Sequence, residues 1–595
     1  MSVELEYQKW MNHENLDVGL KAELKAMTAN EKEDAFYTHL EFGTAGMRGI
    51  MGSGTNRLNI YTIRRANVGF AKYLLEHVNN AKERGVVIAY DSRHFSPEFA
   101  MESAKVLATH GIKAYIFEDV RPTPLLSFAV RHLGCAGGIV ITASHNPPAY
   151  NGYKIYDESG HQTLPNEGDK VIAGVNAVDD VFQIHVKSES ELRAAGLIVT
   201  VGAEIDEVYL AHVKALEINA DVDKTGLTIV FSPLHGTAGA LTTKLMADCG
   251  YTGLHLVDEQ MPPDGDFPTV DYPNPEDAVA FEYAIRKGHE IDADILLATD
   301  PDADRMGVAV KVSAGEYVLE TCPFNLTSYP VFKSDDRYVL LTGNQTGALL
   351  TYYLLSQRKA KGTLPAKGRI FDTIVSSRLA AKIAESYGLE VVSTLTGFKF
   401  IGEQVRLMED TEYEYVFGYE ESYGSMIGDF VRDKDAIQAV LMLSEAAAYY
   451  KAQEKTLYDV LTDIYSEFGF YQEDLINIAL AGKEGSEKID LLLRAFRQTP
   501  LEEVAGIKVV TVEDYKISQR KEKGTVTKID LPAANVLKYI LEDGSWLALR
   551  PSGTEPKAKV YISVVTDSKE ATSARISAIK QDVLTIVESI LSAVV

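Results

Sequence analysis

The chain has 595 residues, 46% apolar and 24% charged, enough to fill several hydrophobic cores and too apolar for a disordered or low-complexity protein. Its 59 basic and 85 acidic residues leave a formal charge of −26, a poor match for nucleic acid or an anionic membrane surface. Any basic contacts to an anionic substrate must therefore be concentrated locally. Cys135, Cys249 and Cys322 make neither a CxxC pair nor a zinc spacing. No apolar leader follows Met1, and no uncharged apolar run is long enough to span a bilayer, so reduced thiols in a cytoplasmic protein are expected.

The first Gly-rich stretch, FGTAGMRGIMGSG (Phe42–Gly54), lacks the Walker lysine and the strand-then-GxGxxG setting of a nucleotide loop. Arg48 among its glycines suits either a surface loop or an arm reaching into a cleft. VVIAY (Val86–Tyr90) predicts a buried strand, followed by the loop Asp91-Ser92-Arg93, Ser96 as N-cap, Pro97 at the first helical position and Gly111 past the helix end. Ile112–Phe117 predicts the next strand, completing a βαβ crossover. The pattern returns at Leu227–Phe231, SPLHG, Thr237–Asp248 and Leu254–Val257. A third copy runs through Tyr338–Leu341, GNQTG as a loop, and Ala348–Gln357 as a helix. Wide spacing favours separate α/β domains with mainly parallel sheets over one large sheet. The last part changes character. Asn535–Leu541 and Ser545–Leu549 flank Asp543-Gly544 as a hairpin, and a strand Ala558–Val565 and a helix Ala571–Ser592 complete a smaller α+β domain.

Four loops in this frame carry candidate chemistry. In GGIVITASHNPPAYNGYKIY (Gly137–Tyr156), Ser144 follows a predicted buried strand and is stiffened by Pro147 and Pro148; without a GxSxG elbow it does not fit a hydrolase triad. In LLATDPDADRMGVAV (Leu296–Val310), Asp300, Asp302 and Asp304 alternate, so an extended loop would turn three carboxylates to one side and suit a hard cation such as Mg²⁺. Arg305 and Lys311 at the sixth and twelfth positions argue against an EF-hand. In FGYEESYG (Phe417–Gly424), Glu420 and Ser422 pair a carboxylate with a hydroxyl, suited to sugar hydroxyls, before Arg432-Asp433-Lys434-Asp435 and a helix near Asp435. In ALRPSGTEPKAKVY (Ala548–Tyr561), Arg550, Ser552, Gly553, Thr554 and Lys557 suggest a phosphate cradle.

TASHNPP, TDPDADR, EES and RPSGTEP, in this order over nearly the whole chain, resemble the α-D-phosphohexomutase superfamily. FGTAGMRG, TGFKFIG and GYEESYG with VRDKDAI look most like its bacterial α-phosphoglucomutase branch. The resemblance implies three related α/β domains with mixed, mainly parallel sheets and a C-terminal α+β domain like the TATA-binding-protein fold, around a central cleft. Boundaries are expected at 1–210, 211–325, 326–457 and 458–595. It further implies that Ser144 carries a transferable phosphoryl group and that Asp300, Asp302 and Asp304 hold Mg²⁺ together with the Ser144 phosphoseryl oxygen. By the same resemblance Arg305 approaches the substrate beside the metal, Thr396 and Gly397 belong to the loop that discriminates sugar orientation, and Glu420 and Ser422 grip hydroxyls. Arg550, Ser552, Gly553 and Thr554 would hold the non-reacting phosphate. Arg48, His145, Lys399 and Lys434 match positions near the substrate, with His145 and Lys434 as acid/base candidates.

The implied reaction interconverts α-D-glucose 1-phosphate and glucose 6-phosphate through a phosphoserine enzyme and glucose 1,6-bisphosphate. The expected partners are small hexose phosphates, not nucleic acid or membrane, and the expected state is a monomer or weak oligomer. Tyr419, between Gly418 and Glu420, is an extra residue relative to many shorter relatives. It leaves phosphomannose or phosphopentose substrates open, while the intact Glu420-Glu421-Ser422 favours a hexose. A metal-dependent phosphosugar phosphatase is the alternative chemistry.

Overall fold

A computed structural model of the chain describes residues 2–43, 45–312, 337–480, 482–551 and 557–592; Cys322 and the cradle residues Ser552, Gly553 and Thr554 lie outside them. Two compact units emerge, Met1–Val310 with Phe398–Glu454, and Lys311–Gly397 with Lys455–Val595. The architecture is α/β with mixed sheets, followed by an antiparallel α+β region.

The first unit opens with three short helices, Val3–Met11, Val18–Ala26 and Ala29–Phe36, gathered around buried Trp10 and Phe36. The sheet that follows has strands in the order Gly46–Ile50, Tyr150–Tyr156, Gly137–Ile141, Val86–Tyr90, Ala114–Phe117 and Ile198–Val201. Val86–Tyr90 and Gly137–Ile141 are buried throughout, as continuous apolar runs in a sheet covered on both faces must be. They pair in parallel, whereas Tyr150–Tyr156 returns antiparallel beside Gly137–Ile141. The next sheet holds Ile229–Ser232 in parallel with Leu254–Leu256 and with Ile295–Thr299, and Met306–Lys311 doubles back antiparallel on Ile295–Thr299. Both sheets thus send a buried strand into a polar turn and bring the chain straight back, which places those turns at strand ends.

In the second unit Gly368–Thr373 and Glu390–Thr394 pair in parallel. The C-terminal sheet is antiparallel, with Phe470–Ala479, Lys557–Thr566, Trp546–Pro551, Leu537–Leu541 and Ile507–Asp514 adjacent in that order. The predicted hairpin is present, with Gly544 at φ 88° in its turn. The helix Lys569–Ser592 buries Ile576, Ile579, Val583 and Val587 against this sheet.

Two local expectations are corrected. Ser96 is the first residue of the helix Ser96–Thr109; Phe95 takes the cap position at φ 62°, because the Ser96 hydroxyl is drawn to Asp91 Oδ1 at 2.8 Å. GNQTG is the start of the helix Gly343–Ala360 rather than a loop: Thr342 and Gln345 form a reciprocal capping box that outweighs two glycines. Cys135 and Cys249 are buried thiols outside any disulfide. Among the described residues no helix is long and apolar enough to cross a membrane.

Candidate active site

The strand Gly137–Ile141 delivers Thr142, Ala143 and Ser144 in a buried turn. Gly152 on the returning strand lies against it so closely that a Cβ would come within 2.4 Å of the Thr142 carbonyl oxygen. Ser144 has φ 51°, in the left-handed region that a non-glycine residue occupies only where its surroundings impose it. The Thr142 hydroxyl receives the Ser144 N–H at 2.8 Å. The Ser144 hydroxyl, in turn, donates to Asp300 Oδ2 at 2.6 Å and lies 3.2 Å from His145 Nδ1.

Asp300, Asp302 and Asp304 are buried, and each offers an oxygen within 4.8 Å of the others. Their convergence comes from a turn, not from the extended alternation expected of the sequence. Asp300 Oδ1 accepts the N–H groups of Asp304 and Arg305 at 3.1 and 3.0 Å, and Ala303 sits at φ 53°. Collecting two amides on one carboxylate curls the chain so that the side chains meet. Thr123 fixes Asp302 twice, its hydroxyl on Oδ2 at 2.9 Å and its N–H on the backbone oxygen at 2.9 Å. Asp302 Oδ1 and Asp304 Oδ1 are buried and accept no hydrogen bond. Unsatisfied buried carboxylate oxygens facing one another are costly unless a cation lies among them, and an all-oxygen donor set suits Mg²⁺. The residues therefore fit such an ion. Burial, then Asp304 and Asp302, push the Asp300 carboxyl well above its ordinary range. Burial acts the same way on Asp302, but Lys154 and hydrogen bonds outweigh it and hold that carboxyl low.

Cations ring this turn. Lys434 Nζ lies 3.0 Å from Asp304 Oδ2 and 3.4 Å from Asp433 Oδ1. Burial alone would lower the Lys434 ammonium; Asp304, Asp433 and Glu420 reverse that and hold it protonated. Gly424 makes room for it, since a Cβ there would fall 2.0 Å from Lys434 Cδ. Arg305 pairs with Glu276 and lies 3.8 Å from Asp304 Oδ1. Burial, Arg305 and Arg48 together push His145 well below its ordinary range, so its imidazole is neutral. Arg48, on Gly46–Ile50, donates to Asn146 Oδ1 of the serine loop at 2.8 Å.

The loop after Glu414–Tyr419 wraps this centre through backbone bonds, Met306 N–H to the Tyr423 oxygen at 3.1 Å and Ala436 N–H to the Ala303 oxygen at 3.1 Å. Glu420 is buried in it and Ser422 half-buried. Lys399 is half-buried on the helix Phe398–Met408, and burial lowers its ammonium. The first unit thus brings together Arg48, Ser144, His145, the three aspartates, Arg305, Glu420 and Lys434. Thr396, Gly397 and Arg550 belong to the second unit, with Gly397 at φ 113° and Arg550 paired with Lys559 in the antiparallel register.

Sequence reasoning missed Lys154, whose Nζ reaches Asp302 Oδ2 at 2.9 Å and Asp304 Oδ2 at 3.8 Å, and Arg93, buried beneath the serine loop. The signal for Lys154 was a lone cation in the apolar strand pattern YKIY. For Arg93 it was an arginine in a short turn beside a buried strand.

Profiles of the four phosphoglucomutase/phosphomannomutase domains match in order: the alpha/beta/alpha domains I at 39–181, II at 207–314 and III at 342–468, and the C-terminal domain at 475–576. A phosphoglucomutase of Staphylococcus epidermidis is 37% identical over 552 residues, covering 92% of this chain and 95% of that protein. One of Staphylococcus aureus is 36% identical over 577 residues, covering 96% and 98%. Among solved structures, a phosphoglucomutase/phosphomannomutase family protein from Burkholderia thailandensis shares the fold with a TM-score of 0.63 at 20% identity, covering 92% of this chain and 98% of that one. The Paramecium phosphoglucomutase parafusin, in an open form, does so with a TM-score of 0.64 at 17% identity, covering 93% and 96%.

Proposed function

The chain belongs to the phosphoglucomutase/phosphomannomutase family, and we propose from that premise that Ser144 is its phosphoryl carrier. Its reaction is the interconversion of α-D-glucose 1-phosphate and glucose 6-phosphate; relatives named phosphoglucomutase over nearly the full length favour glucose over mannose or pentose phosphates, and the mutase over the phosphatase. The observation that carries the site assignment is the Ser144 hydroxyl, 2.6 Å from Asp300 within the buried carboxylate turn.

In this reading the resting Ser144 oxygen carries a phosphoryl group. A sugar hydroxyl attacks its phosphorus, the new P–O bond forming as the Ser144 Oγ–P bond breaks, and the bisphosphate so made returns its other phosphoryl group to Ser144 after reorienting. Asp300, Asp302 and Asp304, with the Ser144 oxygen, would hold Mg²⁺, which when bound neutralises charge on the transferring phosphoryl oxygens. His145, beside the Ser144 hydroxyl, and Lys434 are proposed as the acid/base groups, and the Lys434 ammonium also stabilises negative oxygen. Arg305, held by Glu276, presents a fixed positive charge beside the same turn. Glu420, Ser422, Lys399, Thr396 and Gly397 are proposed to orient the sugar, Arg48 to contact it from its strand, and Arg550 with Ser552, Gly553 and Thr554 to anchor the second phosphate. The reading extends to glucose 1,6-bisphosphate as activator, four domains with the boundaries given above, and a cytoplasmic monomer or weak oligomer.

Ser144→Ala tests the assignment. With Mg²⁺ and a trace of glucose 1,6-bisphosphate, turnover of glucose 1-phosphate is expected to fall by about 10³-fold or more, while the melting transition stays in place. Undiminished turnover in the folded variant contradicts it.

A further inference from the structure

Arg93 is 1% exposed, and its side chain is fully buried. Each of the four terminal N–H groups of the planar fork has a carbonyl partner, while Nε is ion-paired without a hydrogen bond. Nη1 donates to the backbone oxygens of Pro147 and Tyr150 at 2.9 and 3.0 Å, Nη2 donates to those of Ser144 and Asn146, and Nε faces Asp91 Oδ2 at 3.3 Å. Four carbonyls of one seven-residue loop, 144–150, therefore converge on a single side chain. The loop needs such a donor: Pro147 and Pro148 bring no N–H, and a buried carbonyl without a partner is disfavoured. Arg93 is itself fixed from two sides, by Asp91 and Phe267. Asp91 Oδ1 accepts the Arg93 N–H at 3.0 Å, and the Asp91 N–H bonds the Ile141 oxygen at 3.0 Å, tying the turn to the strand that launches Ser144. On the other face the guanidinium carbon lies 4.9 Å from the Phe267 ring centre, on the segment that precedes the metal turn in the same unit.

We propose that Arg93 is a positioning residue for phosphoryl transfer: by gripping the carbonyls of Ser144, Asn146, Pro147 and Tyr150 it holds the left-handed Ser144 so that its hydroxyl faces the carboxylate turn. The inference rests on the reading of Ser144 as carrier and deepens it. Arg93 touches no reacting atom; it acts through the backbone of the residue that does. A displacement of about 1 Å at a reacting centre costs roughly 10²-fold in rate. A lysine cannot replace it, because an ammonium has three donors radiating from one atom, against the fork's four terminal N–H groups.

The test compares the full chain with Arg93→Lys and Arg93→Gln. Steady-state kinetics are measured with Mg²⁺ and glucose 1,6-bisphosphate, and hydrogen–deuterium exchange is followed over the peptide spanning residues 143–151. Thermal midpoints are recorded alongside. Expected is a fall in kcat of about 10²-fold with KM for glucose 1-phosphate changed by no more than about twofold, and faster exchange in that peptide while the neighbouring strands keep their protection. If Arg93 only stabilises the fold, the midpoint drops but the folded fraction keeps the parent kcat and the loop keeps its protection; that result overturns the proposal, as does an unchanged kcat. Should Arg93→Gln fail to fold, Arg93→Lys, which keeps the charge beside Asp91, decides the matter. If the parent chain itself isomerises no sugar phosphate, the mutase reading fails, and loop exchange alone then judges the grip.

Discussion

Lys154 leaves the returning strand as the one residue of YKIY whose side chain meets the acidic turn, 2.9 Å from Asp302 Oδ2, with 13% of it exposed. Three carboxylates in a buried turn repel one another, and Lys154 and Lys434 approach them to 2.9 and 3.0 Å, with Arg305 at 3.8 Å. Taking one partner from a buried ion pair leaves a charge uncompensated, at a cost of about 3–5 kcal/mol. Lys154→Met is therefore expected to lose stability of that order in EDTA and to regain much of it with Mg²⁺, while the parent responds less to the ion. Urea unfolding with and without the metal measures this, and an equal metal response in both chains would contradict it. Ser144 and the three aspartates were legible in sequence because each is announced by its own neighbours. Lys154 and Arg93 were not, because their meaning lies in partners 148 and 51 residues away that only the sheet brings near.

The elements themselves were readable where apolar runs were long and misread where capping decided. GNQTG looked like a loop because glycine is a poor helix former, yet the Thr342 and Gln345 side chains satisfy the first turn's free amides and start the helix there. The helix Phe398–Met408 shows a contact that no periodicity reveals. Gly402 brings it so close that a Cβ would lie 2.5 Å from the Arg432 oxygen and 2.9 Å from His161 Cβ. The next residue, Glu403, takes the His161 ring at 3.1 Å and, one turn on, a two-pronged Arg406 at 2.7 Å. Burial would raise the Glu403 carboxyl, but His161 and Arg406 hold it at about 2. Burial would lower His161, but Glu403 and Asp157 raise it. A depressed carboxyl stabilises the fold above its unfolded value and loses that contribution as pH falls; a raised histidine stabilises below its unfolded value and loses it as pH rises through the folded one. The stability difference between the parent and Glu403→Gln is thus expected to be largest between about pH 4.5 and 6.5. It should shrink on both sides, as read from melting midpoints across pH. A difference independent of pH would remove the pair from the account.

At the scale of the molecule, a chain of net charge −26 acts on anions by local arrangement. Charges beyond about 8 Å are largely screened at physiological salt, so the field at Ser144 is set by nearby groups: the Arg93–Asp91 pair beneath its loop, and Arg48, Arg305, Lys154 and Lys434 around the acidic turn. Two sheets, each sending a buried strand into a turn and reversing, place the serine and the carboxylates in contact although 156 residues separate Ser144 from Asp300. The order of α/β layers and the closing antiparallel sheet were legible from strand runs and turn residues. The packing of one layer's turn on the next was not, because it depends on single side chains such as Thr123. The central claim is that Ser144 shuttles the phosphoryl group, and labelling tests it most directly. The chain is loaded with ³²P-glucose 1,6-bisphosphate in Mg²⁺, digested and mapped, before and after a chase with unlabelled glucose 1-phosphate. Label confined to Ser144, passing to sugar at the rate of turnover, is the expected result; full turnover with Ser144 unlabelled, or label on Ser144 that no sugar removes, would contradict it.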